Sequence, residues 1–176
     1  DNGFRGNLQY VLVKHDPQNG EANRGIEGDN DGSTPNKLPQ SNPSIANMTI
    51  IGNTFDTADK NSEGVYLREG SKAQLHNFVV TGPVGMGECV ELEAGLTVDQ
   101  ANSSDATVDV MCWFINDNTE NSTAANTSAV LEGIFTIDTT TPKDFTGNSF
   151  FENADHVGAV TKAKNWTAGW TVGLEE

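Results

Sequence analysis

Acidic residues recur at alternate positions in the segment EGDNDG, which places Glu27, Asp29 and Asp31 two residues apart and Gly32 sixth. Such a pattern opens the calcium loops of the D-x-[DN]-x-[DN]-G type, and Ca²⁺ takes about six to eight oxygen ligands. The glutamate expected at the twelfth position is absent, because that residue is Leu38. The segment therefore predicts either a calcium site at Glu27, Asp29 and Asp31 or a solvated turn.

A second set of charged residues follows from a short repeat, GIEGD at 25–29, GVYLR at 64–68 and CVELE at 89–93. Aligning the three copies places Ile26, Val65 and Val90 in one apolar column. Side chains alternate across a strand, so the residues between the apolar positions point outward. One predicted outward column holds Glu27, Tyr66 and Glu91, and the next holds Asp29, Arg68 and Glu93. Arg68 is thus predicted to lie between two carboxylates on successive strands.

A longer repeat precedes each short one: LQYVLVKH at 8–15, IANMTIIG at 45–52 and LHNFVVTG at 75–82. Its aligned apolar columns are Leu8/Ile45/Leu75, Val11/Met48/Phe78 and Val13/Ile50/Val80, and a fourth copy, VDVMCWF, continues them with Val108, Met111 and Trp113. Two interleaved strand motifs that recur in this way are typical of a solenoid. The connecting segments are rich in Gly, Pro, Asn and Asp, which indicates loops. We predict an all-β, right-handed parallel β-helix.

Composition excludes several functions. The chain has 176 residues, 10 Lys and Arg against 25 Asp and Glu, and a net charge of −15. Binding to nucleic acid or to anionic lipid depends on cationic side chains, so neither is expected. No run approaches the ~20 apolar residues that cross a bilayer. The sequence contains no G-x-S-x-G, P-loop, paired CxxC or HExxH motif, so serine hydrolase, nucleotide and zinc protease chemistry have no support.

The two ends of the chain differ from the repeats. We predict one β-helix domain over 1–176, with regular coils to about residue 115 and irregular last coils and a cap over about 116–176. The C-terminal segment is rich in aromatic residues, which predicts a cap on the last coil or, alternatively, a platform for sugar stacking. The predicted cap residues are Phe150, Phe151, Trp166 and Trp170. The N-terminal repeat has no cap, which predicts either preceding coils of the same chain or another subunit on that edge.

The chain has two cysteines, Cys89 and Cys112, and we predict that they lie in strands of two neighbouring coils. They form either a disulfide or a pair of small buried residues.

The segments GNLQYVLVKH, GIEGDNDG, SNPSIANMTIIG, GVYLREG, LHNFVVTG, DHVGAV and NWTAGWT resemble the C-terminal half of secreted or surface-anchored right-handed parallel β-helix proteins of marine and environmental bacteria. The likeness covers most of the chain and is weaker over about 102–148. It implies a secreted or cell-surface solenoid, with further coils before this region. The family supplies no catalytic residues that could be carried over to this chain.

These observations together predict an extracellular structural or binding module, with Ca²⁺ as a possible cofactor and polysaccharide or other surface proteins as partners. The alternatives are a polysaccharide lyase or hydrolase and a unit that stacks through its N-terminal edge. No motif assigns acid and base roles, so the sequence leans against an enzyme. The catalytic candidates are Asp29, Arg68, Glu91 and Glu93, and the carbohydrate-binding candidates are Tyr66, Arg68, Trp166 and Trp170. The outward charges could equally be a surface ladder, in which each exposed pair contributes only about 0.2–1 kcal/mol.

Overall fold

The computed structural model describes residues 2–16, 22–53, 63–82, 88–93, 107–113, 120–121, 136–137, 141–169 and 171. For residues 88, 107–113, 120–121 and 136–137 it describes the backbone alone. All regular structure in these ranges is β-strand.

Within the described residues, nine strands form two parallel sheets. The strands are β1 (Asn7–Lys14), β2 (Arg24–Gly28), β3 (Ser44–Ile51), β4 (Glu63–Leu67), β5 (Gln74–Thr81), β6 (Glu88–Leu92), β7 (Thr107–Trp113), β8 (Glu120–Asn121) and β9 (Thr136–Ile137). Sheet A has the order β1-β3-β5-β7-β9, and sheet B has the order β2-β4-β6-β8. Each repeat therefore contributes its longer motif to sheet A and its shorter motif to sheet B, as the interleaved pattern predicts.

The strand register confirms most of the predicted columns. Leu8 pairs with Ile45, and Ile45 with Leu75, while Ile26, Val65 and Val90 are partners in sheet B. The predicted fourth copy is wrong after its first position. Leu75 pairs with Val108, but a register shift then places Val110 opposite Phe78 and Cys112 opposite Val80. Met111 and Trp113 pair with Val79 and Thr81 instead, so they do not continue the apolar columns.

A residue in the left-handed conformation explains this shift. Tyr10, Asn47 and Asn77 occupy equivalent positions in β1, β3 and β5 and have φ values of 58°, 52° and 57°. Each adds one residue to its strand, so the inward positions are three and then two residues apart rather than two and two. Asparagine tolerates positive φ better than most residues, which suits β3 and β5. β7 has one residue fewer between its paired positions, and its register slips there.

Side chains from both sheets meet in one hydrophobic core. Sheet A supplies residues such as Ile50, Phe78 and Val80, and sheet B supplies Val65 and Leu92. These side chains are almost completely buried. The first repeat is less covered, because Val11, Val13 and Ile26 are only partly buried. Fully burying one such side chain stabilises the fold by about 1.5–3 kcal/mol, so the second and third repeats carry most of this stabilisation.

The described part of the C-terminal segment, 141–169, lies along the outward side of sheet A, and we call it the clasp. Gln9 binds the backbone of Glu152 from both ends of its amide, at 2.8 Å to the carbonyl oxygen and 2.9 Å from the amide nitrogen. Asn47 Nδ2 donates to the carbonyl oxygen of His156 at 3.0 Å, and Asn77 Oδ1 accepts from the Lys143 backbone nitrogen at 2.7 Å. The clasp thus crosses β1, β3 and β5.

Apolar contacts accompany these hydrogen bonds. Phe145 and Phe151 pack on Ala46 of β3, and the Phe145 ring meets the His76 ring of β5 edge to face. Outward-facing residues of sheet A are buried for this reason, including Ala46 and Val79. All of these contacts lie on the side of the sheet, and the predicted cover over the last coil is not confirmed by them.

Candidate functional site

The outward side of sheet B carries a connected group of charged and aromatic side chains, which we call the sheet B face. Its members are Arg24, Glu27, Asp29, Glu63, Tyr66, Arg68 and Glu91. Glu27, Tyr66 and Glu91 are register partners on β2, β4 and β6, as the sequence predicts. The sequence repeat produces this face, because each repeat places one outward side chain of the column at the equivalent position of its strand.

Arg68 is the centre of one half of the face. Its Nε and Nη2 atoms bind the two carboxylate oxygens of Asp29 at 2.7 and 3.1 Å, and Nη2 is also 3.1 Å from Glu27 Oε1. The hydrogen bonds to Asp29 raise the pKa of Arg68 further above its ordinary value, and Glu27 adds to this effect. The predicted second partner on the next strand, Glu93, instead accepts a hydrogen bond from the Glu69 backbone nitrogen at 2.8 Å. Arg68 is therefore held by two acids of the same preceding repeat.

Arg24 is the centre of the other half. Its guanidinium carbon lies 4.4 Å from the centre of the Tyr66 ring, and Nη1 is 3.3 Å from Glu27 Oε1. The Arg68 guanidinium carbon lies 5.7 Å from the same ring, so Tyr66 has both arginines near it. Tyr66 is only 8% exposed. A sugar ring could stack on Tyr66 only if an arginine moved, so the arginines are the accessible part of this site.

Glu63 lies beneath Arg24. Its side chain is buried, and Oε2 is 2.7 Å from Arg24 Nε, without the angle of a hydrogen bond. Burial raises the pKa of Glu63 to about 8, with Glu91 adding to the rise and Arg24 opposing it.

Sequence reasoning missed Arg24 and Glu63. Both lie in the first position of their strands and pair directly across β2 and β4. The signal was present, since opposite charges at equivalent repeat positions form cross-strand pairs. Extending the aligned motif by one residue toward the N-terminus would have found it.

The predicted calcium residues are engaged elsewhere. Glu27 and Asp29 bind Arg68, while Asp31 Oδ2 binds Lys37 Nζ at 2.7 Å and its Oδ1 accepts from the backbone nitrogen of Thr34 at 2.9 Å. Lys37 and these backbone donors lower the pKa of Asp31. No group of three or more His, Cys, Asp or Glu residues within the described ranges converges on one point. The turn as arranged does not fit Ca²⁺, and binding there stays a prediction that a chelator-sensitive melting temperature would support.

The aromatic candidates of the clasp are partly described. Trp166 is 41% exposed, and its indole nitrogen donates to the Ala159 carbonyl oxygen at 2.9 Å, which fixes the ring. Trp170 lies outside the described residues. Trp166 and the sheet B face belong to different parts of the fold, because the clasp packs on sheet A.

A family model for a pectate-lyase-like β-helix domain matches residues 1–171. The chain belongs to this family. No curated protein and no solved structure matches the chain. Membership agrees with the parallel sheets and with the β-helix part of the resemblance, whereas the likeness to the C-terminal half of marine bacterial proteins stays a prediction.

For this pectate-lyase-like β-helix domain, no described helix is long and apolar enough to span a membrane. Cys89 is buried, and no free cysteine occurs in the described part of the chain. The side chain of Cys112 lies outside that part, so its bridge to Cys89 stays a prediction.

Proposed function

We propose that this domain is an extracellular or cell-surface module that binds acidic polysaccharide on the sheet B face. We also infer that the two parallel sheets are sides of a right-handed solenoid, since parallel strands joined by crossovers are nearly always right-handed. Family membership makes a polysaccharide-related role compatible with the fold. The observation that carries the proposal is the pair of arginines, Arg24 and Arg68, beside Tyr66 on one outward face.

Arginine is suited to this role because its guanidinium group stays charged and donates hydrogen bonds in fixed directions. Asp29 and Glu27 occupy Nε and Nη2 of Arg68, so Nη1 is the group that a uronate carboxylate would approach. The acids around the arginines hold them in place and would accept hydrogen bonds from sugar hydroxyl groups. Neutral glucans lack the carboxylate and should bind more weakly.

The test is binding to polygalacturonate, with a neutral glucan as comparison, measured by affinity electrophoresis and calorimetry. Arg68→Ala should weaken binding to polygalacturonate by about tenfold or more, as expected when a charged hydrogen-bonding group is lost. Arg5→Ala is the matched control, because Arg5 is exposed and binds the Gln40 carbonyl oxygen outside this face. Equal binding by wild type and Arg68→Ala, or equal loss in both variants, would overturn the proposal.

An enzyme is the second candidate, and the buried Glu63 beside Arg24, with its raised pKa, favours it. A lyase needs a base and a cation that neutralises the uronate, and a hydrolase needs two carboxyl groups. Lyase products absorb in the ultraviolet, and hydrolase products are new reducing ends. Turnover that falls in Arg68→Ala and in Glu93→Gln would support catalysis by the predicted residues, whereas unchanged turnover in both would exclude them.

A further inference from the structure

A small polar pocket lies at the loop between β2 and β3, and we call it the loop pocket. Its volume is about 140 Å³, and its walls include Asn2, Asn30, Asp31, Lys37 and Pro39. A cavity of about 150 Å³ in another protein holds a benzene ring, so the loop pocket has room for one six-membered ring. Most of these wall residues are polar, so a ring that carries polar groups fits them best.

One buried side chain holds the loop pocket in a fixed shape. Asn30 is 1% exposed, and its Nδ2 atom donates to the carbonyl oxygens of Pro35 and Lys37 at 2.9 and 3.1 Å. Its Oδ1 atom accepts from the backbone nitrogen of Ser41 at 2.9 Å. These hydrogen bonds tie the start, middle and end of the loop together, so the pocket is formed before a ligand arrives.

The polar groups of the loop pocket suit the hydroxyl groups of a sugar. Asp31 Oδ2 lies 2.7 Å from Lys37 Nζ, and these opposite charges offset each other. Lys37 has three N–H donors and a side chain that is 64% exposed, so it can also donate to a ligand. A hydroxyl group can donate to Asp31 and accept from Lys37 at the same time. The exposed Asn2 amide adds a donor and an acceptor, and Pro39 adds apolar surface for the C–H groups of the ring.

The loop pocket adjoins the sheet B face. Its wall residues Asn30 and Asp31 directly follow Asp29, which accepts hydrogen bonds from Arg68. The Asp31 backbone nitrogen donates to the carbonyl oxygen of Glu69, the residue after Arg68, at 3.3 Å. The first two repeats therefore stay paired from the arginine to the pocket. A polysaccharide spans several sugar units, so one chain can reach both places.

We propose that the loop pocket is a second sugar subsite, which binds the hydroxyl groups of one pyranose unit while Arg68 binds a carboxylate of the same chain. The proposal rests on the proposed binding function of the sheet B face. Because Asp31 and Lys37 offset each other's charge, the pocket accepts a neutral sugar as well as a uronate, whereas Arg68 selects the carboxylate. The two sites thus recognise different chemical groups of one ligand.

The first experiment tests the pocket with a neutral sugar, methyl β-galactopyranoside, which has no carboxylate for Arg68. Backbone amide signals of the ¹⁵N-labelled domain are followed by NMR as the sugar is added. Those of Asp31 and Lys37 should shift and saturate in the millimolar range. Lys37→Met and Asn2→Ala should each weaken this binding, whereas Lys162→Met, which removes an exposed lysine of the clasp, should not. No saturable shift in wild type, or shifts that neither pocket variant weakens, would overturn the subsite.

The second experiment measures trigalacturonate binding by calorimetry for wild type, Lys37→Met, Lys162→Met and Arg68→Ala. Lys37→Met should weaken binding by about tenfold, the loss expected for a hydrogen bond from a charged group. Lys162→Met removes the same charge and should leave binding unchanged, so equal losses in both lysine variants would overturn the subsite. If Arg68→Ala weakens binding and Lys37→Met does not, the proposed function stands and the subsite fails. If only Lys37→Met weakens binding, the function of the sheet B face fails and the pocket remains a sugar site.

Discussion

Glu63 shows at the scale of a single residue how this fold tolerates a buried acid. Its carboxyl group has lost almost all contact with water, and two neighbours act on it in opposite directions. Arg24 favours the ionised form, whereas burial and Glu91 favour the neutral form and raise the pKa to about 8. The native state therefore binds a proton that the unfolded chain, with a glutamate pKa of 4.5, releases.

Glu63→Gln should change the pH dependence of stability. Because the pKa is raised in the folded state, the stabilising contribution of the proton is fully present below pH 4.5 and is lost as pH rises through about 8. Wild type should lose up to about 1.4 kcal/mol per pH unit from this group within that window, and Glu63→Gln should not. Urea unfolding at pH 4.5, 6.5 and 8.5 measures it. The exposed control Glu152→Gln should show no such widening difference, and a constant difference between wild type and Glu63→Gln would contradict the raised pKa.

The clasp joins three strands at the scale of elements, and Asn77 is its most constrained contact. Asn77 is fully buried, has a φ of 57°, and accepts hydrogen bonds from the backbone nitrogens of Lys143 and Gly158. Asn77→Ala should cost about 2–4 kcal/mol, because it loses a buried hydrogen bond and places alanine in a left-handed conformation. Asn77→Gly should cost less, because only the side-chain contact is lost. Urea unfolding separates the two. Alanine and wild-type proteins of equal stability would show that the clasp does not hold this strand.

The predicted disulfide would join sheet B to sheet A at a position where the two sheets lie close together in each repeat. A Cβ added to Gly25 would lie 2.5 Å from Ile50 Cγ2, and one added to Gly64 would lie 2.3 Å from Val80 Cγ1. Cys89 follows Gly64 in this column, and Cys112 is the register partner of Val80. Two repeats thus place a glycine against a branched side chain, and the third has a cysteine at both register positions, so we predict a bridge there.

Reduction should therefore destabilise the domain. Loss of one disulfide costs about 2–4 kcal/mol, which corresponds to a melting temperature lower by about 5–15 °C in a chain of this size. Thermal unfolding with and without dithiothreitol measures it, and the double variant Cys89→Ala/Cys112→Ala should not respond to the reductant. Two free thiols found by mass spectrometry in the unreduced, denatured protein would rule out the bridge.

The strands and their apolar columns could be predicted from the sequence because apolar residues repeat in phase, as at Ile45 and Leu75. The register of β7 could not be predicted, because the extra left-handed residue at Asn77 leaves no mark in the pattern of apolar residues. The clasp could not be predicted either. Gln9 and Asn47 bind the clasp through its backbone, and a contact between side chain and main chain over more than a hundred residues leaves no periodic trace.

The two ends of sheet A differ at the scale of the whole molecule. In the first apolar column, Leu8 is 41% exposed, whereas its partners Ile45 and Leu75 are 6% and 1% exposed. Phe4, which precedes β1, is 44% exposed. No described strand pairs with the outer edge of β1, so its backbone groups and the apolar side chains beside it can accept another strand. A second copy of the chain would cover this edge.

Self-association through this edge is the outcome expected if a second copy covers it. The mass measured by light scattering should then rise with protein concentration, because edge pairing buries apolar surface and satisfies backbone hydrogen bonds. Leu8→Lys places a charge on the edge and should keep the protein monomeric. Leu38→Lys is the matched control, because Leu38 is 81% exposed in a loop outside the strands and its replacement should leave association unchanged. A monomer at every concentration would exclude assembly by a second copy through this edge.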